Sequence, residues 1–285
     1  MRHILFLIFL LITLRVEAFV EVKGSQFYYN EAPWRVVGVN IAPSHCNKQT
    51  LQELSNFGWN SVRIAPTSLQ QLKQIVRWAK REQLKICVVV SSALPLESLR
   101  EFRTNRQIWA WEVMNDQQAK LIRIQCPNHL ITVSLDLKLL NLDNVIMSSD
   151  VDFVSIPLTP FEHGWVAPTS LYLGLRNCYM KSNELFQKIF RRSSLVEKPI
   201  LVSECSYPRD KMFKFPGSPT SLRDSFFSFV INYTCPNTGK RVSGVYFTQW
   251  EPLPNESNQQ QITPMAIYAT DSLTQDIFFN KLLDK

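Results

Sequence analysis

The sequence predicts a closed (β/α)8 barrel, an α/β fold, preceded by an N-terminal β-hairpin. Three observations carry this expectation. Eight short apolar runs alternate with segments of helical periodicity, the pattern of a parallel sheet wrapped by helices. The runs CVVV, ILVS and GVYF are continuously hydrophobic, as strands buried on both faces must be. The chain has 285 residues, which suits one barrel of ~250 residues once a leader is set aside. An open doubly wound sheet also alternates strands with helices. It would place a glycine-rich phosphate loop after its first strand, and the eight glycines here form no G-x-G.

Residues 27–29, the turn Asn30-Glu31 and a run over 34–40 read as a hairpin leading into the first barrel strand. Residues 50–57 make a short amphipathic helix with Thr50 as its cap. The second strand spans 60–65. A helix follows over 68–83, where Leu69, Leu72, Ile75, Val76 and Ala79 share one face. The third strand spans 85–90, a helical stretch 96–102 and the fourth strand 107–114. A short helix over 117–124 has Asp116 in a favoured capping position. Strands five and six cover 130–135 and 152–156, and a long helix covers 171–191. The seventh strand is 199–203, and the helix 220–231 starts at Thr220 or Ser221. The eighth strand is 244–249, and a helix over 272–283 closes the chain. No linker divides residues 19–285, so a single domain is expected.

Arg2 and His3 precede an apolar run over 4–14, and Val16-Glu17-Ala18 has the pattern of a cleavage site. Residues 1–18 therefore read as a secretory signal peptide, too short for a membrane span, and a secreted, extracellular protein is expected. Six cysteines in a secreted chain point to some disulfides, with the pairing open. They form no C-x-x-C unit, so neither a metal nor another cofactor is expected. Asn232-Tyr-Thr and Asn255-Glu-Ser are glycosylation acceptors. The net charge of +7 is spread along the chain and reads as a solvated basic surface. Lysines and arginines do not cluster with aromatics, so nucleic acid is not an expected partner. No later segment reaches the ~18 apolar residues of a membrane span. A monomer is expected.

Active groups of such a barrel sit where strands end on the C-terminal face. The first strand ends with Asn40, the second carries Arg63, and the fourth ends with Asn115-Asp116. The seventh ends with Glu204, and the eighth with Gln249-Trp250-Glu251. Two carboxylates, Asp116 and Glu204, on the ends of two buried strands suit cleavage of a glycosidic bond. One protonates the leaving oxygen and the other attacks the sugar carbon. Trp250, and Trp165 in the loop after the sixth strand, are candidates to stack on a pyranose face. Glu112 faces the same side as Asp116 by period two and reads as part of a buried polar network. Trp59, Trp109 and Trp111 read as core. The scattered histidines form no Ser-His-Asp set.

The stretches FVEVKGSQFYYNEAPWRVVGVN, GWNSVRI, IWAWEVMND, KPILVSE and GVYFTQW, in that order, resemble glycoside hydrolase family 5. Within it they are most similar to the endo-β-mannanases and related β-glucanases, over most of residues 19–250. The resemblance implies a retaining hydrolase of β-1,4-linked mannan or glucan, with a polysaccharide or oligosaccharide as its partner. It implies Glu204 as nucleophile, Arg63 as its supporting cation, Asn115 as the residue holding the sugar 2-hydroxyl, and Trp250 beneath the cleaved sugar. Asp116 stands where the family has its acid/base glutamate, and Pro157 and Thr159 stand where it has a His and a Tyr. These departures define a second expectation: a weak or inactive barrel that binds carbohydrate or another extracellular partner.

Overall fold

The computed structural model describes residues 18–253 and 263–277, apart from 137, 139, 194 and 273. The signal segment up to residue 17, the acceptor Asn255 and its polar loop, and most of the closing helix lie outside the described residues.

The strands β1 (Glu21–Lys23), β2 (Gln26–Tyr29) and β3 (Ala32–Trp34) form an antiparallel meander, one strand more than the expected hairpin. Eight strands follow: β4 (Val36–Ile41), β5 (Ser61–Ile64), β6 (Lys85–Val89), β7 (Ile108–Val113), β8 (Leu130–Val133), β9 (Val154–Leu158), β10 (Ile200–Cys205) and β11 (Gly244–Trp250). They pair in parallel in the order β8-β7-β6-β5-β4-β11-β10-β9. The Ser134–Ser155 bridge and the Asp152 amide on the Ile131 carbonyl join the two ends into a nearly closed (β/α)8 barrel.

The connecting helices are α1 (Lys48–Asn56), α2 (Leu69–Arg81), α3 (Asp116–Gln125), α4 (Leu142–Met147), α5 (Leu171–Ser193) and α6 (Ser221–Ile231), with a 3-10 stretch over Leu96–Phe102. Asn47, not Thr50, caps α1: its side chain accepts from the Thr50 amide, while the Thr50 hydroxyl donates to the His45 carbonyl. Ser68 caps α2 through the Gln71 amide, and its apolar face is the expected Leu72, Ile75, Val76 and Ala79. Among the described residues no helix is long and apolar enough to cross a membrane.

Two apolar clusters result. One lies between strands and helices; the other fills the lower barrel with Val36, Cys87, Trp109, Phe153, Leu201 and Tyr246, plugged by Phe27 of the meander. The indole N–H of Trp109 donates to Ser61 Oγ (3.1 Å) and the Tyr246 hydroxyl (3.0 Å), so the polar atoms of this layer are paired. A Cβ on Gly38 would stand 2.4 Å from the Tyr246 ring, so glycine is what admits that ring.

All six cysteines are buried free thiols, which corrects the expectation of disulfides. The reason is placement. Cys87 faces the barrel interior, whereas the other five belong to the outer cluster. Burial pushes the Cys46 and Cys178 thiols up to about 12, so they pack as small hydrophobes.

Candidate active site

Above the apolar plug the barrel interior becomes polar, and Arg63 at the end of β5 organises it. Its Nε and Nη2 donate to the two carboxylate oxygens of Glu112 at 2.8 and 2.7 Å. Its Nη1 donates to Asn40 Oδ1 at 2.8 Å and to Glu204 Oε1 at 3.1 Å. Glu112 also accepts from the Ser134 hydroxyl at 2.7 Å. The Asn40 amide donates to the Ser203 carbonyl at 3.0 Å and the Thr248 hydroxyl at 3.1 Å. One bonded network thus ties together β4, β5, β7, β10, β11 and the residue after β8. Period two along each strand turns Asn40, Arg63 and Glu112 inward. The register of β10 shifts between Val202 and Glu204, and such an irregularity re-aims a side chain towards a barrel mouth.

The two carboxylates differ in access. The Arg63 side chain is 12% exposed and that of Glu112 only 1%, while Glu204 is 38% exposed. Burial alone would raise the Glu112 carboxyl, but Arg63 and the Ser134 hydroxyl hold it below its ordinary value. Glu112 is therefore a sealed anion that anchors Arg63, and Glu204 is the carboxyl group left open to a ligand. This agrees with a buried-network role for Glu112.

The other expected site residues are placed as follows. Asn115 is exposed and caps α3, its side chain accepting from the Gln118 amide at 3.0 Å. Asp116 is the first residue of α3, with Oδ1 buried and without a hydrogen-bond partner. No hydrogen bond or ion pair joins its side chain to the Arg63 network. Its charge is felt by Lys198, whose ammonium donates to the Val145 and Ser148 carbonyls. Trp250 is 1% exposed and packs against Phe57 at the end of α1, ring centroids 5.8 Å apart. Trp165 is half-buried, 4.5 Å from the His163 ring. His163 in turn contacts the carbonyl of Thr159, and the Thr159 hydroxyl donates to Glu162.

Sequence reasoning missed Thr248, the residue of β11 that meets Asn40. Alternation from the inward-facing Tyr246 would have found it; the register of β11 then shifts between Phe247 and Trp250, so the tryptophan turns outward. A second polar group also escaped notice. Glu251 Oε2 lies 2.7 Å from His45 Nδ1, a close contact without an aligned hydrogen bond, and Gln249 Nε2 donates to Glu251 Oε1 at 2.5 Å. Burial raises the Glu251 carboxyl, and His45 opposes that rise. Among the described residues no group of His, Cys, Asp and Glu could hold a metal ion.

A solvent-facing carboxylate held in place by an arginine can attack an electrophilic carbon or steady a cationic one. The family model described as GH family 5 beta-mannosidase-like matches residues 92–271, more than half of the chain. The match includes Glu112, Asp116, Glu204 and Thr248, and begins after Asn40 and Arg63. Among solved structures, the β-glucuronidase of Ruminococcus gnavus superposes with a TM-score of 0.61 at 11% identity over 95% of this chain and 54% of its own. The same enzyme in complex with D-glucuronic acid gives a TM-score of 0.60 at 11% identity over 92% and 52%. This chain therefore spans about half the length of those enzymes, and the likeness is one of fold. No curated protein sequence matches it significantly.

Proposed function

The chain belongs to the glycoside hydrolase family 5 β-mannosidase-like family, and we propose that it is a secreted retaining glycosidase acting on β-1,4-linked mannan- or glucan-type saccharides. The observation that carries this reading is the open Glu204 carboxylate, 3.1 Å from Arg63 at the mouth of the barrel. In the proposed reaction Glu204 attacks the anomeric carbon and Asp116 gives its proton to the departing oxygen. Asp116 then takes a proton from water as the glycosyl–enzyme ester is cleaved. Arg63 holds Glu204 through Nη1 alone, because Glu112 takes the other side of the fork. The shorter side chain of Asp116 withdraws the acid by roughly an ångström, and a displacement of that size costs about 10²-fold.

The test is hydrolysis of β-mannosides and β-glucosides by the purified protein. Glu204→Gln is expected to remove roughly 10⁴-fold or more of the turnover. Asp116→Glu is expected to raise turnover about 10- to 100-fold, because it restores the missing reach. A second reading, sugar binding without efficient turnover, is favoured by two observations: Asn115 is spent on capping its own helix, and Asp116 Oδ1 is sealed. Saccharide binding by a parent protein that hydrolyses none of these substrates, with Asp116→Glu equally inert, would decide for it.

A further inference from the structure

The loop between β10 and α6 leaves the C-terminal end of the strand that carries Glu204. Its segment 211–215 reads Lys-Met-Phe-Lys-Phe. Lys211 and Met212 both have left-handed backbones, φ 55° and 59°. Met212 packs on the core, whereas Phe213 and Phe215 are 44% and 63% exposed. The backbone beneath these rings is fastened. The Met212 and Phe213 amides donate to the Arg209 and Asp210 carbonyls, and the Ser218 amide to the Phe215 carbonyl. Arg209 Nη1 donates to the Ser218 carbonyl at 3.0 Å, and the Tyr268 hydroxyl to the Lys214 carbonyl at 3.3 Å. The turn Pro168–Ser170 lies against Asp210–Met212, and the Tyr207 hydroxyl donates to the Leu171 carbonyl at 2.8 Å. These contacts bring the start of α5, where Tyr172 and Leu173 are 78% and 76% exposed, beside the loop.

We infer that this rim is a docking surface for a lipid bilayer bearing anionic headgroups, with Phe213, Phe215, Tyr172 and Leu173 entering the boundary of the acyl chains and Lys211 and Lys214 meeting phosphates. Scattered apolar side chains on a surface are ordinary, but a group of them on a braced loop and a helix start is a patch that calls for a partner. Consecutive left-handed, non-glycine residues cost free energy, and the bonds at both ends of the loop hold them in place. The chemistry of the patch selects the partner. The apolar centre of a protein interface is depleted in lysine, because an ammonium there must shed its water. Here two exposed lysines are interleaved with the rings, and among the described residues neither has a carboxylate partner. The acid of the loop, Asp210, accepts from the Ser221 and Leu222 amides at the start of α6. A headgroup layer takes rings and ammonium groups at once, at the depths their chemistry prefers, and needs no membrane span. Docking in this way holds the Glu204 end of the barrel at the bilayer. It stands apart from the glycosidase reading, since it concerns the outer rim and not the carboxylates.

The experiment floats the full chain with vesicles of phosphatidylcholine alone and of phosphatidylcholine mixed with phosphatidylserine. The parent is expected to bind the mixed vesicles more tightly, and raised salt to weaken that binding. Phe213→Ser combined with Phe215→Ser is expected to weaken it about 30-fold or more, the effect of withdrawing two rings from the bilayer boundary. Lys211→Gln combined with Lys214→Gln is expected to weaken binding to the mixed vesicles about 10-fold or more and to leave binding to phosphatidylcholine alone unchanged. Thermal melts accompany both pairs, and the lysine pair, being exposed, reports even where the phenylalanine pair fails to fold. A parent that stays in solution with both kinds of vesicle overturns the inference, as does undiminished binding by the folded variants. Self-association of the parent without vesicle binding, seen by light scattering and lost in the phenylalanine pair, assigns the patch to a second copy of the chain and overturns the lipid reading. Hydrolysis of soluble saccharides is measured beside these, so that failure at the rim and failure of the glycosidase reading are told apart.

Discussion

At the barrel mouth Arg63 divides its guanidinium between Glu112 and Glu204; behind the loop that follows β10, Arg209 and Arg223 converge on Asp271. In this second cluster Arg209 and Arg223 lie 2.5 and 2.9 Å from Asp271 Oδ2, and all three side chains are at most 1% exposed. Other Nη donors go to the Ser218 and Ala266 carbonyls and the Thr274 hydroxyl, while Nε of each arginine is buried without a hydrogen bond. It fastens residues 263–277 to the β10–α6 loop, aided by the Arg209 amide on the Pro264 carbonyl. Both clusters pair arginine with carboxylate at hydrogen-bonding distance. What separates them is that the mouth leaves one carboxylate to solvent and the clasp leaves none. An ion pair therefore marks the candidate site here only where its charge is incompletely enclosed.

This contrast can be broken most sharply at the clasp. Asp271→Asn strands two buried guanidinium groups and is expected to cost about 3–5 kcal/mol, read by urea denaturation. A loss below 1 kcal/mol would mean that the clasp is not sealed. The next largest effect sharpens the comparison through pH. Burial lowers His129 to about 4, against hydrogen bonding to the Asn105 carbonyl. The unfolded imidazole gains its proton near 6.5. The folded protein therefore loses stability as pH falls from about 6.5 to about 4, by about 3 kcal/mol, and this group costs no more below that. Glu112, held below its ordinary value, contributes fully above about 4.3 and loses that contribution only as pH falls through its folded pKa. Unfolding measured from pH 7 to 4 should show the upper loss disappear in His129→Gln, which keeps a donor for the Asn105 carbonyl. The smallest effect concerns Glu204. Being open, it should cost under about 1 kcal/mol of stability when changed to Gln, however much activity is lost. A melting temperature lowered as far as that of Asp271→Asn would show that the two clusters are the same kind of object.

The barrel was legible in the sequence because its strands are buried on both faces and so read as unbroken apolar runs. Asn40, Arg63 and Glu204 were legible because each ends such a run. The elements that escaped are those whose signal is short or non-local. The helix α4 has only six residues, and Asn141 makes no side-chain cap bond. The strand β1 is three residues of alternating polarity. Thr248 was hidden by an irregular register that draws attention to Trp250 instead. His45 and Glu251 meet across about two hundred positions of chain, a distance over which no periodicity speaks. The pair Asn115-Asp116 looked like a strand end, but β7 stops at Val113, and the good capping chemistry of asparagine moves both residues onto α3.

Between β8 and β9 the described backbone contacts are the Ser134–Ser155 bridge and the Asp152 amide on the Ile131 carbonyl, the shortest ladder of the barrel, which gives the cylinder a preferred line of opening. Every other neighbouring pair of barrel strands is laced by several backbone bonds, so partial denaturation should unroll the wall along β8 and β9 rather than loosen it evenly. The unrolled form would carry two bare strand borders able to recruit other copies of the chain, which makes this seam the place where misassembly in concentrated solution is expected to begin.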